Sequence, residues 1–111
     1  MPAYVYLALA IASEVAGTLA LRSARGFTNL IPSILVIAGY GFAFFMLSRA
    51  LRDMSVGTAY AIWSGVGTAA VAIASVPLFG ERLTTRSVIG ILLIIAGVAV
   101  LETSSSGAGH D

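Results

Sequence analysis

The sequence predicts an all-α integral membrane protein with four transmembrane helices per chain, and three observations lead there. The chain of 111 residues is 59% apolar and only 10% charged, against roughly 25% charged in ordinary globular chains. Its mean hydropathy of +0.99 leaves no room for a soluble domain beside the apolar segments. Apolar runs at 4–21, 32–51, 58–79 and 88–101 approach the length that crosses hydrocarbon, which takes about 20 residues for a ~30 Å core. The runs are continuous rather than alternating and about twice the length of a barrel strand, so their backbone groups must be satisfied within helices.

The punctuation between the runs agrees with helices. The first run has neither the basic start nor the small-residue cleavage site of a secretory signal, and it carries an acid, so it reads as a retained span. Gly26 follows it, and Thr28 or Asn29 with Pro32 signals the start of the next helix. The stretch "RDMSVGT" separates spans two and three. Pro77 and Gly80 mark the end of span three, and Thr84 or Thr85 precedes span four. The spans are expected at about 4–21, 32–51, 58–79 and 86–103, making residues 1–103 one transmembrane domain. Connections this short favour antiparallel neighbours and hence two helical hairpins. Residues 104–111, "SSSGAGHD", are small and polar and read as a disordered tail.

Charge and cysteine usage narrow the function. All 6 basic residues are Arg, in pairs at span ends (Arg22 and Arg25, Arg49 and Arg52, Arg82 and Arg86), as loop and snorkelling side chains are. A net charge of +1 gives no footprint for nucleic acid, and the absence of cysteine excludes disulfides and thiolate metal sites. No cofactor or metal is expected. With no His, Cys or second acid placed to work beside it in the membrane, Glu14 does not suggest an enzyme.

Glu14 is the residue that demands a function. It lies near the middle of "ALAIASEVAGTLAL", in a run with no other charge. A carboxylate is costly to ionise in hydrocarbon, and ionisable groups kept there face the interior and mark substrate or proton paths. The alternative is a protonated acid bonding helices together. Positions three, four and seven away share its face: Leu7, Ala10, Ile11, Gly17, Thr18 and Leu21. Ala10, Gly17 and Thr18 leave room beside the carboxyl. Span three offers Tyr60, Trp63, Ser64 and Gly67 on one face, and span two Tyr40, Phe44 and Leu47. One acid among such rings suits a cation with flat or greasy substituents, because the carboxylate supplies charge and the rings cation–π attraction. An aromatic stripe at helical spacing also serves plain packing.

Two further patterns concern helix contacts. Gly90, Leu93, Ile94, Gly97, Val98 and Leu101 share a face of span four, where small residues let helices approach closely; the first five are expected at a dimer interface. Gly65 and Gly67 in mid-span three make either a bend or a close packing site.

The stretches "SEVAGT" around Glu14, "GFTNLIPS" from Gly26, "GTAYAIWSGVG" from Gly57 and "GILLIIAGV" from Gly90 together resemble the small multidrug resistance family of four-helix transporters, over about residues 3–103. The resemblance implies an antiparallel homodimer in the cell membrane that exports lipophilic cations in exchange for protons. It implies that the two Glu14 carboxylates form the shared proton and substrate site, with Tyr4, Ala10, Gly17, Thr18, Tyr40, Phe44, Tyr60 and Trp63 in contact with substrate. A second branch of the family exports guanidinium ions and resembles this pattern but carries Trp three residues after the acid. Gly17 stands there in this chain, which argues for the multidrug branch. A non-transporting membrane scaffold is the alternative from another class. Four Arg residues lie in the odd loops and two in the even one, a weak orientation bias compatible with insertion both ways.

Overall fold

The structure, a computed structural model, describes residues 2–108, with side chains described as far as Thr103. It consists of the helices α1 (Ala3–Ala24), α2 (Leu30–Ala50), α3 (Val56–Phe79) and α4 (Thr85–Ala108). All four are long and apolar enough to cross a membrane. The 22 residues of α1 at about 1.5 Å per residue span roughly 33 Å, the thickness of a hydrocarbon core. This is a multi-pass membrane protein. The chain forms two compact units that divide after Asp53, each a helical hairpin.

In the first hairpin α1 buries Leu7, Ala10, Gly17 and Ala24, a stripe at three- and four-residue spacing that Glu14 shares. The partner helix buries Val36, Ala43, Leu47 and Ala50 among others. Hydrophobic burial does not hold helices together in lipid, so close packing and hydrogen bonds must. Both meet at Gly39. A Cβ there would lie 3.1 Å from the Ser13 carbonyl oxygen and 3.2 Å from Gly17 Cα, and the Ser13 hydroxyl donates to the Gly39 carbonyl at 2.7 Å. Nearer the chain start, the Arg49 guanidinium lies 5.3 Å from the Phe45 ring centre and 6.0 Å from that of Tyr6. Contacts 6 with 49 and 17 with 39 run in opposite chain order, so the helices are antiparallel.

The loop between them turns through three left-handed residues, Arg25, Gly26 and Phe27. The Thr28 and Asn29 amides donate to the Ala24 carbonyl at 3.0 and 3.1 Å, closing the end of α1. Asn29, expected to start the next helix, does precede α2 but does not cap it with its side chain. Its Nδ2 reaches back to the Ser23 carbonyl at 3.1 Å instead. The side-chain amide satisfies one of the carbonyls orphaned at the end of α1.

In the second hairpin α3 starts at Val56, earlier than the expected 58, because Ser55 accepts from the Thr58 amide and caps the helix. The helix passes Pro77 and stops at Gly80 in a left-handed conformation, φ 69°. Thr84 then accepts from the Ser87 amide at 3.1 Å and starts α4. A Cβ on Gly65 would lie 2.6 Å from Val98 Cγ2 and 3.1 Å from Ile94 Cγ2, so the glycine admits the α4 side chains against the α3 backbone. The α4 backbone stays helical to Ala108, taking in residues 104–108 of the expected tail; extending a formed helix costs little, and no Pro interrupts it. Residues 109–111, with His110, lie outside the described residues.

Candidate functional site

Glu14 is held within the first hairpin by a chain of hydroxyls. The Thr18 hydroxyl, one turn on in α1, donates to Glu14 Oε1 at 2.9 Å. Thr18 Oγ1 is also in a short hydrogen bond with the Tyr40 hydroxyl of α2. A threonine has one proton to give, and here it goes to the carboxylate. Tyr40 is therefore the donor to Thr18, and the order is Tyr40 to Thr18 to Glu14. Such chains polarise in one direction and strengthen the last bond. The second oxygen, Oε2, is buried and has no hydrogen-bond partner among the described residues. An anionic oxygen kept from water without a donor is costly. The carboxyl is thus prepared on one side and unsatisfied on the other, where a proton or a cation can join it.

Gly17 lies against Tyr40 beside this arrangement. A Cβ on it would lie 3.6 Å from Tyr40 Cδ2, from the Tyr40 amide nitrogen and from the Val36 carbonyl oxygen. The Tyr40 ring lies where a larger residue 17 would extend. Of the residues expected around the acid, the structure thus joins Gly17, Thr18 and Tyr40 to Glu14. Ala10 is on the same stripe and fully covered, while Tyr4 and Phe44 are more than half exposed. Ser13 and Gly39, which set the crossing beside the site, were not among the expected residues. Each is small and lies in phase with a site residue, but the height at which two helices meet is not written in either one.

Tyr60 and Trp63 touch within the second hairpin. Their ring centres are 5.6 Å apart with planes at 71°, an edge-to-face contact. Trp63 is 8% exposed and Tyr60 59%, so Tyr60 is the accessible ring and Trp63 the one that supports it. Gly65 and Gly67 are both buried in a helix unbroken from Val56 to Phe79. At Gly65 the close approach of Val98 accounts for the glycine; both remain hinge candidates. The expected interface face of α4 is divided. Ile94 and Val98 pack against Gly65 within the chain, whereas Gly90 and Gly97 have nothing within 4 Å of an added Cβ and Leu93 is 67% exposed. Helical phase explains the separation of 94 and 98 from 93 and 97, each pair of neighbours being about 100° apart around the axis, whereas Gly90 lies only about 40° from Ile94 and lines a groove with it.

A groove of about 310 Å³ opens in the second hairpin beside its loop, lined by Glu81, Arg82, Leu83, Ser87, Gly90 and Ile94 among others. It includes none of the expected substrate residues.

Comparison with known proteins bears on what such a site serves. A multidrug transporter of Pseudomonas aeruginosa is 44% identical over 110 residues, covering 99% of this chain and 100% of the relative. The quaternary ammonium compound-resistance protein QacF of Klebsiella aerogenes is 46% identical over the same length and coverage. The multidrug resistance protein EbrB of Bacillus atrophaeus is 48% identical over 108 residues, 97% of this chain and 92% of the relative. The family model described as "Small Multidrug Resistance protein" matches residues 2–94. With a membrane acid on a hydroxyl chain, four spanning helices and this match across most of its length, the chain belongs to the small multidrug resistance family.

Proposed function

We propose that this protein is a proton-coupled antiporter that exports hydrophobic cations such as quaternary ammonium ions, with Glu14 alternately holding a proton and a cation. The observation that carries the reading is the half-satisfied carboxyl: Oε1 held by Thr18 and Oε2 buried without a partner. The names of the relatives, multidrug transporter and quaternary ammonium compound-resistance protein, support the class of cargo. The chain's own chemistry supports it too, because the first hairpin already holds a cation, Arg49, against two aromatic faces.

Exchange follows from competition, since one carboxylate oxygen cannot take a proton and pair with a cation at once. A single chain brings one such acid, and four helices cannot enclose a drug-sized cavity. Two copies inverted relative to each other would supply the two-fold arrangement of larger transporters, with the site near the midplane. Alternating access then requires the loaded dimer to exchange which side is open. If two protons enter per singly charged cation, one net charge moves inward. That contributes about 2.3 kcal/mol at 100 mV, and each pH unit adds about 1.4 kcal/mol per proton. The guanidinium branch is disfavoured because Gly17 stands where that branch carries Trp. A scaffold would tolerate loss of the acid.

Proton-coupled uptake in liposomes containing this protein alone tests the proposal, with a bulky quaternary ammonium ion and guanidinium offered separately. Transport of the quaternary ion driven by a pH gradient is expected, together with binding that tightens as pH rises. Glu14→Gln keeps shape and most hydrogen bonding but cannot ionise; it should insert and dimerise yet lose coupled transport. Coupled transport by that variant, or binding independent of pH in the wild type, would defeat the proposal.

A further inference from the structure

Ser13 behaves unlike most serine and threonine hydroxyls in these helices. Ser33, Ser64, Thr68, Ser75 and Thr103 each donate to the carbonyl four residues earlier in their own helix, the ordinary resting place for a hydroxyl in lipid. Ser13 instead donates across the hairpin to the Gly39 carbonyl. Gly39 is also a point of close backbone approach: an added methyl would lie 3.1 Å from the Ser13 carbonyl oxygen and 3.2 Å from Gly17 Cα, so the helices would have to give by a few tenths of an ångström. These are backbone atoms, which cannot rotate away as a side-chain tip can. The contact is flanked by the acid on one helix and its tyrosine on the other: Glu14 follows Ser13, and Tyr40 follows Gly39.

We infer that the Ser13–Gly39 contact is the positioning element of this site, setting the separation at which Tyr40 reaches Thr18 and so how Glu14 is held for proton and cation. The inference rests on the proposed role of Glu14. Its physical basis is the difference between how the two kinds of contact respond to distance. Helices pushed apart by a few tenths of an ångström lose little packing energy, but the hydroxyl chain from Tyr40 crosses that gap through a single hydrogen bond to Thr18. Thr18 lies on the same helix as the acid, so its own bond to Glu14 survives while the supply from Tyr40 weakens. Neither Ser13 nor Gly39 is required to touch substrate.

The test measures tetraphenylphosphonium binding to the purified full-length protein in detergent micelles across a range of pH. The variants are Gly39→Ala, Ser13→Ala, Ser13→Thr, Tyr40→Phe and the double variant Gly39→Ala/Tyr40→Phe, with oligomeric state and thermal unfolding followed in parallel. Gly39→Ala and Ser13→Ala should each weaken binding about two- to tenfold, the range of one hydrogen bond. Both should displace the pH dependence in the same direction as Tyr40→Phe. Ser13→Thr, which keeps the hydroxyl, should stay close to wild type. In the Tyr40→Phe background, Gly39→Ala should add less than about twofold, because its route of action is already gone. Wild-type binding and pH dependence in both single variants, or effects that multiply with Tyr40→Phe, would overturn the inference. Should Gly39→Ala fail to fold, Ser13→Ala carries the same comparison without added bulk. The parent reading fails separately, through wild-type binding that ignores pH, and the inference would then fall with it.

Discussion

At the residue scale, the site is a set of unequal partners. Glu14 has one oxygen satisfied by Thr18 and one buried with no hydrogen-bond partner among the described residues, the imbalance on which the proposed exchange of proton and cation rests. The aromatic residues divide in a similar way. Tyr60 is exposed and rests its edge relation on the covered Trp63, so in the proposed cation site the two would act by different routes. Tyr60→Leu keeps an apolar side chain and removes the π face from an exposed position. It should weaken a bulky aromatic cation about tenfold, near the ~1–2 kcal/mol of a partly desolvated cation–π contact, and a compact ammonium ion by less than about threefold. Equilibrium binding of ethidium and tetramethylammonium checks this. Equal losses for both would reduce Tyr60 to a packing residue.

At the scale of elements, glycine decides where each hairpin closes. Gly65 is the sharper case because its neighbour is β-branched. A Cβ added there would sit 2.6 Å from Val98 Cγ2, and valine in a helix has essentially one comfortable rotamer. Gly65→Ala should therefore destabilise the protein by about 1–3 kcal/mol, the usual cost of overpacking. Val98→Ala made together with it removes the clashing methyl and should recover most of that loss. Unfolding in sodium dodecyl sulfate titrations reads both variants. If the double variant is no better than Gly65→Ala alone, the glycine serves the flexibility of α3 and not the approach of α4.

At the scale of the whole molecule, α4 is the element left without cover: none of its spanning residues is buried within the chain. Lipid accepts an exposed apolar helix, so exposure alone does not require a partner. The small residues do distinguish its faces. Ile94 and Val98 turn toward Gly65, while Leu93 and Gly97 stay open, and in the proposed dimer a second copy would meet that open edge. Gly97→Leu should accordingly impair dimerisation, shifting the protein to monomer in crosslinking and size-exclusion experiments. It should leave insertion and the unfolding of the hairpin intact. An unchanged dimer would move the interface off this edge of α4.

The sequence by itself determined the four helices and singled out the acid on which the proposed function rests. Apolar run length and the scarcity of charge are properties of composition, and the cost of an acid in hydrocarbon is paid wherever the chain folds. Glu14 therefore stood out with no structure at all, and Thr18 followed from helical spacing within the same span. The helix ends were nearly as plain, except where a side chain chose between two uses. Asn29 turned back to Ser23 instead of capping α2, and the backbone beyond Thr103 stayed helical to Ala108. What only the tertiary structure decided is the relative height of neighbouring helices. Periodicity states which residues share a face, but not which residue on the facing helix lies opposite, because sliding one helix along another leaves its phase unchanged. Tyr40 donating to Thr18, Ser13 bonded to Gly39 and Val98 against Gly65 all depend on that height. It is set by where small residues let two backbones meet.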